Sequence, residues 1–361
     1  MSFHGSYRPD DVEFLLKPIS MTFVMDIDAK ERLIQSGERH YSEMLSPEEL
    51  PSEQYQRLFF RAHQAARERM ARDCLHLASA IVGRHGQRPT LVSLARAGTP
   101  IGAVVSHLIG HLYDAKPKHF SLSIVRDRGI DVVALDRILE RGFSPESIAF
   151  IDGWTGKGVI SQELLRAIHH YNESRRVKID GGLYVLSDLA GTAAYAASDD
   201  DYLISSSILN STISGLVSRS VLNELIGPDD FHGCVFYDKL LPHDISRWFV
   251  DDIVSAALSI AGSLRQYERI PRENKADIRH AFLVSEMARR RISNINLIKP
   301  GIGEATRVLL RRKPGVVFVK DMESESVAHL IELAMEKGVP LEVVSSMPYN
   351  AMSIIGNVAD A

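Results

Sequence analysis

The chain of 361 residues is longer than a single hydrophobic core usually organises, so its length predicts two bodies of unequal size. Hydrophobic residues at 45% and charged residues at 24% exclude disorder, collagen and coiled coil as the main architecture. Two cysteines, Cys74 and Cys234, exclude a disulfide framework and a four-thiolate zinc site, and they fit a reducing compartment. Taken in chain order, residues 1–60 are polar and broken by Pro9, Pro18, Pro47 and Pro51, which predicts an irregular cap with short helices. A long helix is predicted over 54–82. Strands at 90–94, 119–125, 148–152 and 183–187 then alternate with helices at 101–112, 131–141 and 159–172. Short apolar strands separated by helices of this length imply right-handed βαβ crossovers, hence an α/β fold with a mostly parallel sheet.

A polar stretch carrying Pro271 predicts the boundary between a body over 1–270 and a second over 275–361. Beyond it the pattern is helix 281–291, strand 294–298, a helix opened by Pro300-Gly301-Ile302-Gly303 and running to 312, strand 315–320, helix 324–337 and strand 339–344. Gly338 directly after Lys337 is a sound helix stop. This order predicts a small αβα sandwich. No apolar run approaches the roughly 20 residues of a membrane span. The acidic N-terminal stretch has no apolar signal core, so a cytoplasmic location without membrane contact is expected.

The net charge of −4 conceals a division. Over residues 275–313 ten basic side chains face three acidic ones. Such an excess marks either a phosphate-binding surface or a solvated helix face.

In parallel sheets ligands sit beyond the carboxyl ends of the strands. Two loops there have suitable composition. In Ala95-Arg96-Ala97-Gly98-Thr99-Pro100 the glycine permits a tight turn, and Arg96 offers a planar, permanently charged phosphate donor. In Asp152-Gly153-Trp154-Thr155-Gly156-Lys157-Gly158 three glycines let backbone N–H groups converge on an anion at a helix start, and Thr155 and Lys157 add a hydroxyl and a charge. Neither loop has the spacing of the common nucleotide motifs, and glycine is also what tight strand-to-helix turns require. Asp152 can accept hydrogen bonds from sugar hydroxyls or hold a hydrated Mg²⁺.

This arrangement resembles the type I phosphoribosyltransferases, with Ile148-Ala149-Phe150-Ile151 as the strand, Asp152 as the first acid and Thr155 to Gly158 as the phosphate loop. Gly153 stands where that family has a second acid. The runs GSYRPDDVEFLLKPI, SGERHYSEML, SLARAGTPIG, SIVRDRGID, FIDGWTGKG, LNSTISGLVSRSV and FHGCVFYDKLLPHDISRWFVDDI together resemble the phosphoribosyltransferase-like family of bacterial tellurite-resistance and stress gene clusters. The resemblance implies a Mg²⁺-dependent transferase that joins phosphoribosyl diphosphate to an unknown base-like acceptor. In it Asp152, Arg96 and Arg126 are catalytic, Asp152 holds the metal, and Ala97, Gly98, Thr99, Arg128 and Gly153 to Gly158 bind substrate. Asp188, Asn210 and Arg219 are expected near the acceptor, with Ser214, His40 and Tyr41 as further candidates. The competing expectation is a non-catalytic nucleotide sensor on the same fold, for which the missing second acid is no loss.

The same family also carries the label of a StiP cysteine protease. His232 and Cys234 lie two apart in FHGCVFY and form a candidate thiolate pair. The flanking Phe231, Val235, Phe236 and Tyr237 make a packed strand cysteine the stronger expectation. Cys74, beside Leu75 and Leu77, reads the same way.

The stretch from Gly301 to Val344 resembles the RNA-binding domain of the Pelota and kink-turn-binding ribosomal protein families. Gly301, Glu304 and Thr306 match its helix start, Arg307 stands for a lysine, and Gly303 replaces an asparagine. The resemblance implies RNA as a partner, contacted by these residues and by Arg311. Use of the same fold for dimerisation is the alternative, which leaves homo-oligomerisation open.

Overall fold

The computed structural model describes residues 2–262 and 275–356; the expected boundary around Pro271 lies outside the described residues. The first body is organised by six parallel strands, β1 (Glu13–Leu15), β2 (Thr90–Leu94), β3 (Lys118–Leu122), β4 (Ile148–Thr155), β5 (Leu183–Asp188) and β6 (Tyr195–Ser198). Their spatial order is β1-β3-β2-β4-β5-β6. Consecutive strand residues feed opposite cores, which is why these segments read as continuous apolar runs rather than as alternations. Leu91, Ala149 and Leu186 face α2 (Glu53–His85), α3 (Gly98–Tyr113) and α6 (Ser246–Ala261). Val92, Phe150 and Val185 face α4 (Val132–Glu140) and α5 (Val159–Arg175). The chain is therefore an α/β protein with a parallel sheet covered on both faces. Among the described residues no helix is long and apolar enough to cross a membrane.

The cap includes a short helix, α1 (Ile27–Gln35), capped by the Asp26 side chain. It also contributes β1, which the sequence pattern does not reveal because three residues at a sheet edge carry no period. Strand β4 continues three residues past the predicted end at Asp152, and there Trp154 and Thr155 still pair with Ser187 and Asp188 of β5.

The C-terminal residues form a four-stranded sheet of β7 (Ile298–Pro300), β8 (Pro314–Val319), β9 (Leu341–Val343) and β10 (Ala351–Ile355), in the order β7-β10-β8-β9. Helix α7 (Lys275–Arg290) lies on one face, and α8 (Ile302–Arg311) with α9 (Ala328–Glu336) on the other. The expected αβα layering is present, but the fourth strand, β10, was not anticipated. It is antiparallel to both neighbours and fully buried. Its opening Ala-Met-Ser lacks the β-branched signature of a strand.

Candidate functional site

The carboxyl ends of β2 and β4 open into a cleft of about 920 Å³, closed on its other side by α8 and the end of β7. Its walls bring together Arg96, Arg126, Lys157 and Arg219 with Lys299, Arg307, Arg311 and Arg312.

The loop after β4 is shaped by its own hydrogen bonds. The Thr155 hydroxyl accepts from the Gly158 N–H at 3.0 Å, and Asp152 accepts from the Gly153 N–H at 2.8 Å. Gly158 has φ of +76°, and a Cβ there would lie 2.5 Å from Thr192, so both backbone and space require glycine. Among the described residues no side chain caps the start of α5, and that helix end faces this loop. Burial pushes the Asp152 carboxyl up to about 6, opposed by Arg307 and the Gly153 N–H. Lys157 donates to the Ile295 carbonyl at 2.7 Å, and burial together with Lys299 brings its ammonium down to about 7.

Arg96 is only 6% exposed. It follows a cis peptide bond from Ala95, donates to the Val217 carbonyl at 2.7 Å and pairs with Glu48; its Nε has no partner among the described residues. Asn210 bridges the two bodies, its side-chain oxygen accepting from Arg311 at 2.6 Å and from Arg96 at 3.4 Å. Arg219 donates to the Met44 carbonyl and stacks over Tyr41, whose other neighbour is Arg126. Burial brings Arg219 down to about 10, with Arg312 and Arg96 adding to the effect. Burial also lowers Lys299 and Arg311, and neighbouring cations push both further down.

Not every expected residue belongs to the cleft. Gly98 and Thr99 are buried and Ala97 is half-buried at the start of α3, outside the cleft lining, and Thr99 is hydrogen-bonded to Ser121. Arg128 is engaged elsewhere by Glu43 and the Leu222 carbonyl. Asp188 accepts from the N–H groups of Ala190, Gly191 and Ala193, so its carboxylate shapes the loop after β5. Ser214 donates to the Asn210 carbonyl, and His40 lies against Tyr41.

Of the expected RNA-reading residues, Gly301, Gly303, Arg307 and Arg311 face the first body, and Thr306 points into its own body. Asp201 accepts from the N–H of Ile302 at 2.9 Å and of Asn350 at 2.8 Å, so a carboxylate of this chain occupies the start of α8. Gly301 opens that helix, and Thr306 is buried against His329. A Cβ on Gly303 would lie 2.6 Å from Trp154, which explains the glycine where an asparagine was expected. Arg307 stacks over Trp154 at 4.2 Å and pairs with Glu304 at 3.0 Å.

Sequence reasoning missed Glu48, Asp201 and Lys299. Lys299 was counted in the basic run, so charge density was its signal. Glu48 and Asp201 meet partners far away in the chain, and nothing local announces them.

The two cysteines present a different environment. Cys234, on the short strand Gly233–Cys234 paired with Lys17–Pro18, is fully buried, and burial pushes its thiol up to about 12. His232 beside it is hydrogen-bonded to Ser123 at 2.7 Å, and its backbone N–H is donated to Asp131. Cys74 is equally buried, within α2.

A family model described as tellurite-like stress resistance cysteine protease StiP matches residues 5–254, and one described as PELOTA RNA binding domain matches residues 278–357. A relative from Acinetobacter baylyi (strain ATCC 33305 / BD413 / ADP1), named Cysteine protease StiP, is 40% identical over 365 residues, covering 98% of this chain and 94% of the relative. Solved structures include a Helicobacter pylori xanthine-guanine-hypoxanthine phosphoribosyltransferase, 14% identical over 36% of this chain and 77% of its own, with a TM-score of 0.22. A purine phosphoribosyltransferase from Pyrococcus horikoshii is 13% identical over 41% and 85%, with a TM-score of 0.20. Scores this low carry no argument. The relative's name overturns the expected Mg²⁺-dependent phosphoribosyltransferase, and with it phosphoribosyl diphosphate as substrate and the preference against the protease label; the stress and tellurite associations fit. The chain belongs to the StiP family, whose model is described as tellurite-like stress resistance cysteine protease.

Proposed function

We propose that this stress-family protein works through the cleft, binding a phosphate-bearing anion between its two bodies, 1–270 and 275–361. One observation carries the reading. Lys157, Lys299, Arg219 and Arg311 all have their protonation opposed by burial and by neighbouring cations, an arrangement that an anion relieves. The Gly156–Lys157 backbone and the first turn of α5 border the same space, while the Gly158 N–H is held by the Thr155 hydroxyl. Asp152, Arg126, Asn210 and Trp154 complete its lining. Magnesium enters this reading as a counter-ion brought with the ligand, because Asp152 offers one carboxylate while Glu48 and Glu304 are held by Arg96 and Arg307. RNA contact by the second body is supported by its family description. The type I phosphoribosyltransferase-like scaffold is supported by the parallel strand order and the acid-plus-glycine loop, without the transfer reaction. Melting temperature measured against inorganic phosphate, diphosphate and triphosphate tests the reading. A rise that grows with phosphate number is expected, and no rise with any of them refutes it.

The relative's name favours a second reading, thiol hydrolysis of peptide bonds. Cys234 with His232 is the pair that fits it best, since Asp131 anchors the histidine backbone next to the cysteine. The enclosed, protonated thiol must first be exposed, so the segments 217–221 and 233–236, which exchange backbone hydrogen bonds, have to part. Casein degradation by wild type and its loss in Cys234→Ala test this; equal rates reject it.

A further inference from the structure

The basic residues at and after α8 are turned toward the first body, while Arg289 and Arg291 of the same run stay exposed. Arg312 forms a bidentate pair with Glu31, and Lys313 pairs with Asp28 at 2.9 Å. Arg311 is spent partly on Asn210, and Arg307 lies over Trp154. On α7, Arg289 and Arg290 are both paired with Glu286. The start of α8, where free N–H groups would meet a phosphate backbone, is filled by Asp201. Little of this charge is therefore presented as an open surface for a long polyanion.

Inside the cleft the balance is reversed. The Lys299 ammonium has no hydrogen bond among the described residues. It borders the same space as Lys157 and lowers the protonation of that residue, while burial, Arg312, Arg126 and Arg307 lower its own. Across the cleft, Arg96 keeps an unpartnered, buried Nε, and Arg219 an unpartnered, buried Nη1. One cation pair belongs to both bodies, Lys157 with Lys299; a second group joins Arg96 and Arg219 of the first body to Arg311 of the second.

Resting on the reading of the cleft as an anion site, we infer that the C-terminal body is the second half of that site. Lys299 and Arg311 are ligand-contacting residues, and the ligand is a compact chain of two or more phosphates. A single phosphate engages one of the two cation groups. A diphosphate or triphosphate joins both, and so ties ligand binding to docking of the second body. The geometry also separates this ligand from RNA, whose bases and sugars have no aromatic platform here: Trp154 is covered by Arg307 and Gly303, and Tyr41 by Arg126 and Arg219.

Calorimetric titration of the full chain with inorganic triphosphate tests the inference, using wild type, Lys157→Ala, Lys299→Gln, Arg311→Lys and the exposed control Arg291→Ala, with melting curves to confirm folding. Lys299→Gln removes no hydrogen bond seen among the described residues, so it keeps the test independent of the Arg311 contact with Asn210. Lys157→Ala and Lys299→Gln are each expected to weaken binding by about tenfold or more, and Arg291→Ala by less than about twofold. A single-stranded RNA oligonucleotide is expected not to displace the triphosphate. If Lys157→Ala weakens binding while Lys299→Gln and Arg311→Lys leave it unchanged, the second body is no part of the site and the inference falls, although the cleft reading stands. Displacement by RNA also overturns it. Absence of binding to wild type removes the underlying reading as well.

Discussion

Burial has opposite consequences in the cleft at the carboxyl edge of the six-stranded sheet and on the strand that carries Cys234. In the cleft it presses cations together faster than carboxylates can compensate them, so that Lys157 is brought down to about 7 and Arg219 to about 10. Around Cys234 it encloses a neutral thiol, pushed up to about 12, between paired backbone segments. In the proposed reading the first arrangement is relieved by a bound anion, whereas the second needs no ligand. A chemically capable residue and a poised one are distinguished by their surroundings. Cys234 is the first kind, and Lys157 the second.

The contrast is most exposed to test where a cleft cation is stripped of its partner. Glu48→Ala leaves Arg96 buried with its charge unmatched, and a loss of about 3–5 kcal/mol is expected in urea unfolding. A loss below about 1 kcal/mol would mean that water reaches Arg96 and that the crowding of cations is overstated.

A smaller effect is expected from pH. The lowered folded-state value of Lys157 means that the unfolded chain binds more protons between about 7 and the ordinary 10.5, so this residue's contribution to stability rises with pH across that window. Asp152, raised to about 6 from an ordinary 3.8, does the reverse, and its contribution is lost as pH rises from about 4 through 6. For an anionic ligand both groups act in one direction. Affinity is highest near pH 6 and falls by about tenfold toward pH 8.5 as Lys157 loses its proton. In Lys157→Arg, whose guanidinium stays charged, the titration with triphosphate should lose most of that fall.

Gly303→Ala sharpens the comparison at the seam between the two bodies. The added Cβ would meet Trp154, so the ring must shift and Arg307 with it. A loss of about 1–3 kcal/mol in melting experiments and a change in tryptophan emission are expected. The smallest effect concerns the thiol. Native protein at neutral pH should resist alkylation at Cys234 for as long as it stays folded, and react fully in denaturant; mass spectrometry distinguishes the two.

Much of the scaffold was legible in the sequence because buried parallel strands announce themselves as apolar runs separated by helices. TLVSL and IAFI are the clearest cases, together with the glycine loop that follows the second. The segments that escaped notice are Glu13–Leu15, which is only three residues long, and Ala351–Ile355, which opens on Ala-Met-Ser; each pairs with neighbouring strands at an edge or a gap. Arg96, Asp152 and Lys157, singled out from local chemistry, line the cleft. Glu48, Asp201 and the inward turn of α8 could not be singled out in this way, since each depends on a partner far away in the chain: Arg96 for the first, the N–H of Ile302 for the second. Asp188 and Arg128 had the right residue type and place, but their own loops consumed them. The family's named activity was weighed on His232 and Cys234 and set aside, because Phe231, Val235, Phe236 and Tyr237 around the thiol are the neighbours of a packed strand cysteine.

The central claim is that the cleft holds a polyphosphate anion between the two bodies. Diffraction from crystals soaked in triphosphate at pH 6 tests it most directly. Ordered phosphate density is expected within hydrogen-bonding distance of the Gly156–Gly158 loop at one end and of Arg219 or Arg311 at the other, with Lys299 in contact. An empty cleft in crystals that bind triphosphate elsewhere, or do not bind it at all, would contradict the account.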